Sequence, residues 1–286
     1  MKNNPIDHHY VPVFYLNSWI SGKDKKLWYY KKIDEKVVGG RIAPKNTGYE
    51  PNLNTLKSKD FSGIKDDDKY IVEQKLVNLD TDASKVLKKM ITNGVIGLSL
   101  EEKKTWLNFV LLLFERNPQR INTIENEGEQ ILQDVVNDCI EKWGKQDRWE
   151  HAYKFFKKSE FNYNYPRIRL YDFLKDTLSL NDQFVQNWQI VKTHDPFEFF
   201  TSNLPVIIEV SKSHSTSISF IEMSLSPQTL WICALPDFQF DEDLIKRLII
   251  TFNMRLLMLQ PKYVYSLSPI KDIACFKYGK ALDTFL

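Results

Sequence analysis

Cysteine is scarce in this chain. Cys139, Cys233 and Cys275 are odd in number and far apart, so neither a disulfide framework nor a zinc cluster is indicated, and a reducing cytoplasm fits. Long apolar runs are missing too: none reaches the roughly 18 residues of a membrane span. The opening residues through Asp7 are polar and lack the apolar core of a signal peptide, so a cytoplasmic protein with no membrane partner is expected. There is no excess of charge. With 39 basic and 37 acidic residues the net charge is +2, too balanced to draw in nucleic acid by overall attraction, and any such binding must rest on a local patch. Repeats and low-complexity segments are absent, no serine or cysteine has a convincing base nearby, and oligomeric state leaves no trace.

What the chain does have is apolar residues in quantity. At 286 residues and 43% hydrophobic it can bury a large core, and a single domain over 1–286 is expected. Its helical part spans about 66–180 and its β-rich part about 181–286, with an N-terminal segment packing on both. Pro12 disfavours helix at Val11 and suits the first turn of a helix that Gly22 ends. The basic turn Lys23-Asp24-Lys25-Lys26 leads into an aromatic strand at Leu27–Tyr30, which Gly39-Gly40 closes before a turn-rich crossing. Asp66-Asp67-Asp68 is expected as a solvated turn or helix entry, although three carboxylates could attract a cation. Ile71 to Met90 follows a helical rhythm, Ser99 caps a helix with Glu101 and Glu102 in its first turn, and Pro118 breaks or restarts it. Helices at Ile121–Trp143 and Trp149–Phe156 precede β-rich runs at 188–193, 206–210, 217–221 and 230–235. Asp241 can cap a helix running to about Leu259, and Tyr263–Tyr265 reads as a final strand. The class is α+β: a helical centre and a mostly antiparallel C-terminal sheet that the N-terminal strand can join.

Chemistry concentrates in Asp7-His8-His9-Tyr10-Val11-Pro12. On an extended backbone the two histidines point to opposite sides, one buried and one accessible, and Asp7 shares a face with His9 and could orient its ring. The alternative is a core histidine beside a surface one. Glu73 and Asp80, seven apart, lie on one helix face and are either the acidic half of a site or solvated charges. Arg116, at a helix end, pairs with a carboxylate or an anionic ligand. After Tyr153, Lys154, Lys157, Lys158, Arg167 and Arg169 interleave with Phe155, Phe156, Phe161, Tyr163, Tyr165 and Tyr171, the only patch whose composition suits single-stranded nucleic acid; the alternative is an amphipathic helix end packing its aromatics inward.

These blocks resemble a bacterial family, the domain of unknown function four-two-three-eight, over nearly the whole chain. The matching stretches are His8-His9-Tyr10-Val11-Pro12 with Phe14-Tyr15-Leu16, Leu27–Tyr30, Pro44-Lys45-Asn46 with Tyr49, and Glu73. Arg116, Pro118 and Arg120, then Thr201–Val206, Leu225-Ser226-Pro227, Asn253 and Tyr263–Ser266 complete them. The resemblance implies a bacterial or phage setting and no established activity. Where the family usually has aspartate this chain has Asn203, and where glutamate is common it has Asp80. If that aspartate is catalytic, Asn203 cannot replace it.

Together these features suggest a nucleic-acid-directed hydrolase, a nuclease or phosphodiesterase in a defence or toxin-like setting. His8, His9, Glu73 and Arg116 would be catalytic, a divalent metal the cofactor, and Lys45, Asn203, Lys157, Lys158, Arg167 and Arg169 would hold substrate. Small histidine-metal endonucleases are excluded, because the next histidine after His9 is His151. The competing reading is a non-catalytic ligand- or partner-binding module of a defence or regulatory assembly. In a third, Arg116 and Glu73 form one buried ion pair that holds the fold.

Overall fold

The computed structural model describes residues 6–34, 36–57, 69–158, 160–175, 187–194, 197–210, 218–234 and 244–270. The expected Asp66–Asp68 turn and the Asp241 cap lie outside them. In chain order come β1 (Asp7–His9), α1 (Val13–Leu16), β2 (Leu27–Ile33), β3 (Lys36–Ile42) and β4 (Tyr49–Pro51). Five helices follow: α2 (Ile71–Asn93), α3 (Leu100–Glu115), α4 (Pro118–Trp143), α5 (Asp147–Lys158) and α6 (Phe161–Lys175). The rest is β5 (Trp188–Lys192), β6 (Thr201–Ser202), β7 (Val206–Val210), β8 (Ile218–Ser226), β9 (Thr229–Ala234), α7 (Leu244–Met258) and β10 (Val264–Ser266). The class is α+β, as the sequence pattern indicates.

The chain forms two compact units, each assembled from three segments. One contains Met1–His8, Glu50–Asp80 and Glu115–Leu178; the other contains His9–Tyr49, Thr81–Phe114 and Ser179–Leu286. Strands β1 and β4 pair with each other.

In the first unit, local signals set the helix ends. The Asn117 side chain accepts the Gln119 N–H, and Pro118 follows as the first helical residue, where its missing N–H costs nothing. Gly144, at φ 75°, ends α4 by donating to the Ile140 carbonyl. Asn164 of α6 bonds both the N–H and the C=O of Lys57, at 2.9 Å each.

Two antiparallel sheets occupy the second unit, ordered β3-β2-β10-β6 and β5-β9-β8-β7. It is β2, not the opening strand, that brings N-terminal residues to a C-terminal strand: Tyr29 pairs with Tyr265 and Tyr30 with Val264. Gly39 and Gly40 do not close β2 but sit in mid-β3, opposite Tyr30 and Tyr29. A Cβ on Gly39 would lie 2.8 Å from the Tyr30 ring, so these positions require glycine for close approach rather than for a turn. On the other sheet α7 packs Leu248, Ile249, Phe252 and Leu256 against Phe199, Ile207, Phe220, Leu230 and Ile232. Trp106 of α3 meets Trp231 edge-on at 6.1 Å. The expected Ser99 cap is present: Glu102 N–H donates to Ser99 Oγ at 3.2 Å, and Ser99 N–H to Glu102 Oε2 at 3.0 Å.

Candidate functional site

Strand alternation separates the two histidines as the extended backbone requires. His8 is fully buried and His9 half-buried, while Asp7 is exposed. The His9 ring lies against Tyr49, with centroids 5.4 Å apart.

A backbone group of Asn54 fixes the His8 ring. The Asn54 N–H donates to His8 Nδ1 at 3.0 Å, so in the neutral imidazole the proton sits on Nε2. The Asn54 side chain simultaneously donates from Nδ2 to Glu73 Oε2 at 2.8 Å. That oxygen also lies 3.5 Å from His8 Nδ1. A proton on Nδ1 would have to displace the Asn54 N–H, so the same nitrogen cannot hold its present bond and act as a base. Nothing in the sequence around Asn54 marks this role, because its N–H reaches His8 across 46 positions.

Two helical turns beyond Glu73, Asp80 lies on the same face of α2 and receives Arg116. Arg116 Nη1 is 3.0 Å from Asp80 Oδ1 and 3.2 Å from Oδ2. Arg116 is 1% exposed and follows the last residue of α3, where the helix dipole favours a cation. Burial pushes the Asp80 carboxyl above its ordinary range; Arg116 opposes this, and the charge of Glu73 adds to it. His8, Asn54, Glu73, Asp80 and Arg116 thus form one polar row, in which the Glu73 and Asp80 side chains are 12% and 20% exposed. The cation beside Asp80 is the expected Arg116, while Glu73 is held by Asn54.

Among the described residues, the groups this row could offer a divalent metal are the Glu73 and Asp80 carboxylates. Among the described residues no group of three or more His, Cys, Asp or Glu side chains is placed to hold an ion. Two carboxylates remain, and the histidine nitrogen nearest them already accepts a hydrogen bond.

The candidate substrate-binding residues are dispersed. Lys45 is exposed in the short 3-10 turn Pro44–Asn46. Asn203 is buried and clamps a backbone: its N–H donates to the Tyr263 carbonyl at 3.1 Å, and its Oδ1 accepts the Tyr263 N–H at 2.8 Å. An aspartate would supply the same acceptor. Arg167 is buried, donating to the Leu53 carbonyl at 2.6 Å and to Glu125 and the Tyr163 carbonyl, with its guanidinium 3.6 Å from the Tyr163 ring centroid. Lys157 is exposed and paired with Glu129. Lys158 ends α5, its side chain outside the described set. Arg169 is exposed and lines a small pocket with Glu115, Ile124, Pro166, Leu170 and Phe173. The nearby aromatics pack on one another, Phe155 on Phe156, Phe156 on Phe161, and Phe161 stacked on Tyr165 at 5.1 Å.

No helix among the described residues is long and apolar enough to cross a membrane. A protein-family model, described as Protein of unknown function (DUF4238), matches residues 7–243. No curated protein and no solved structure matches.

Proposed function

We propose, for a chain that belongs to the DUF4238 family, that it acts by binding rather than by cutting, as a non-catalytic nucleic-acid-binding module of a defence or regulatory assembly. The observation that carries this is the Asn54 N–H on His8 Nδ1, which occupies the lone pair a general base would need, on a ring with no exposed surface. The surrounding charges agree. Among the described residues this row sets two carboxyl groups, Glu73 and Asp80, beside the Arg116 guanidinium, which is paired with Asp80, a charge balance that does not favour a phosphate.

A hydrolase remains the second reading, favoured by the environments of the same two carboxyl groups. Glu73 accepts a hydrogen bond from the Asn54 side chain, while burial raises the pKa of Asp80, so two carboxyl groups on one helix face stand in different environments. The experiment incubates purified protein with labelled single-stranded DNA, duplex DNA and transfer RNA, with manganese, magnesium or chelator. The expected result is a retarded and intact nucleic acid. Cleavage that disappears in Glu73→Gln would replace the binding module with the hydrolase, and neither retardation nor cleavage would overturn both.

A further inference from the structure

Charge in this chain is balanced overall but not locally. Residues 22–46 hold eight basic and three acidic side chains, in a chain whose net charge is +2. They form the β2–β3 hairpin of the second unit and the turns flanking it. One of the three acids is neutralised where it stands. Arg41 donates to Asp24 through Nε at 3.1 Å and Nη2 at 2.6 Å, and the same guanidinium binds Ser21 Oγ at 3.0 Å, the Ser21 carbonyl and the Lys26 carbonyl at 2.9 Å. The turn is therefore pinned from within. Lys23, Lys25 and Lys26 project from it, all exposed.

The sheet adds rings to this charge. Side chains on one face of a strand recur every second residue, so Tyr29 and Lys31 share a face, about 6.8 Å apart along the strand. Register places Gly40 opposite Tyr29, Val38 opposite Lys31 and Lys36 opposite Ile33 on that face. Across β10, Tyr263 meets Tyr29 at 6.4 Å and stacks parallel to the buried Tyr265 at 6.3 Å, with Lys262 Nζ 5.6 Å from the Tyr263 centroid. The face runs from Leu27 and Tyr265, both fully buried, through the half-buried Tyr29 and Tyr263, to Lys31 and the exposed Lys36. Among the described residues, no carboxylate lies within ion-pairing distance of Lys31 or Lys36. This contrasts with α5, where Lys154 and Lys157 are each tied to a glutamate.

Half-buried rings backed by other rings, and bordered by lysines, are a platform for bases with cations placed for the phosphates. We infer that the β2–β3–β10 face, with Tyr29 and Tyr263 as the stacking surface and Lys31, Lys36 and Lys262 as the phosphate contacts, binds single-stranded nucleic acid. This rests on the binding module proposed above and assigns its surface. Charge complementarity favours a polyanion, and the row of rings favours one that carries bases. Exposed aliphatic side chains of β2 and β3 are limited to Ile33 and Val38, a small apolar area for insertion into a bilayer.

The test is fluorescence anisotropy of a labelled oligothymidylate of about 12 nucleotides, at about 50 and about 200 mM salt. Wild type, Lys31→Glu/Lys36→Glu and Tyr263→Ser are compared, with folding of each checked by urea titration. The double variant is expected to bind about tenfold or more weakly and to lose about two contacts from the salt slope. Tyr263→Ser should weaken binding about fivefold or more with the slope unchanged, since it removes a stack and no charge. If the glutamate pair fails to fold, Lys31→Gln/Lys36→Gln gives the same readout. A folded double variant that binds like wild type overturns the inference. Loss of binding in Lys154→Glu/Lys157→Glu alone would move the surface to α5, leaving the binding module intact and this face refuted. Binding only to phosphatidylserine vesicles through the same lysines would make the face a membrane contact and also refute it. Absence of oligonucleotide binding by wild type would remove the binding module itself.

Discussion

Asn54 serves His8 and Glu73 at once, its backbone N–H 3.0 Å from His8 Nδ1 and its side-chain amide 2.8 Å from Glu73 Oε2. Removing the ring therefore strips a buried donor of its acceptor and leaves a hole. We predict that His8→Ala destabilises by about 2–4 kcal/mol, read as a lower urea midpoint with an unchanged slope. A variant as stable as wild type would show that the histidine is not needed by the fold.

Arg116 and Asp80 should show the asymmetry of a buried pair. Asp80→Asn removes a carboxylate charge 3.0 Å from the Arg116 guanidinium, which is 1% exposed. The expected loss is about 3 kcal/mol, the low end for breaking such a pair because Asp80 reaches solvent. Asp80→Asn/Arg116→Met should recover part of that loss. A double-mutant cycle of urea midpoints measures the coupling, and strict additivity would mean that the contact contributes nothing.

Glu222, on β8, titrates in an unusual range. Burial pushes its carboxyl from 4.5 up to about 7, and the charge of Glu209 adds to this, although Arg255 Nη1, 2.8 Å away, opposes it. An acid whose pKa is higher in the folded state holds more protons there than in the unfolded chain between pH 4.5 and about 7. Stability from this group is therefore lost as pH rises through that window and is constant above it, a change of roughly 3 kcal/mol at most. Glu222→Gln should lack this slope. Urea midpoints at intervals from pH 4.5 to 8 would reveal it, and parallel curves for the two proteins would refute it.

Asn203 acts on Tyr263 through an oxygen that aspartate also possesses. Asn203→Asp should fold and bind as wild type does, whereas Asn203→Ala should lose about 1–2 kcal/mol from the unpaired Tyr263 N–H. Loss of nucleic-acid binding in a stable Asn203→Asp variant would show that more than the shared oxygen matters.

Legibility from the sequence followed the range of the interactions. Helix ends were readable because their signals are local: Ser99 with Glu102, and Pro118 at the start of the next helix. The alternation of His8 and His9 was readable from strand geometry alone. Gly39-Gly40 was not, because glycine in mid-strand looks like a turn until the opposing Tyr29 and Tyr30 are in register. Asp80 was visible as a carboxylate on the Glu73 face, but its partner Arg116 is 36 residues distant. Composition alone drew attention to Arg167, whose place against Leu53 and Glu125 depends on segments 114 and 42 residues away. The charge excess of residues 22–46 was present in the sequence but masked by a balanced total, and only the register of β2 and β3 shows that Lys31 and Lys36 share the Tyr29 face.

The order of the β3-β2-β10-β6 sheet also bears on synthesis. Strand β10, flanked by β2 and β6, is the last of the four to leave the ribosome. Until Val264–Ser266 emerges, the hairpin made from residues 27–42 must wait with its Leu27–Tyr30 edge unpaired. A nascent chain with such an edge is a natural client for chaperones, and a premature stop before residue 264 would release the hairpin without the strand that seals it.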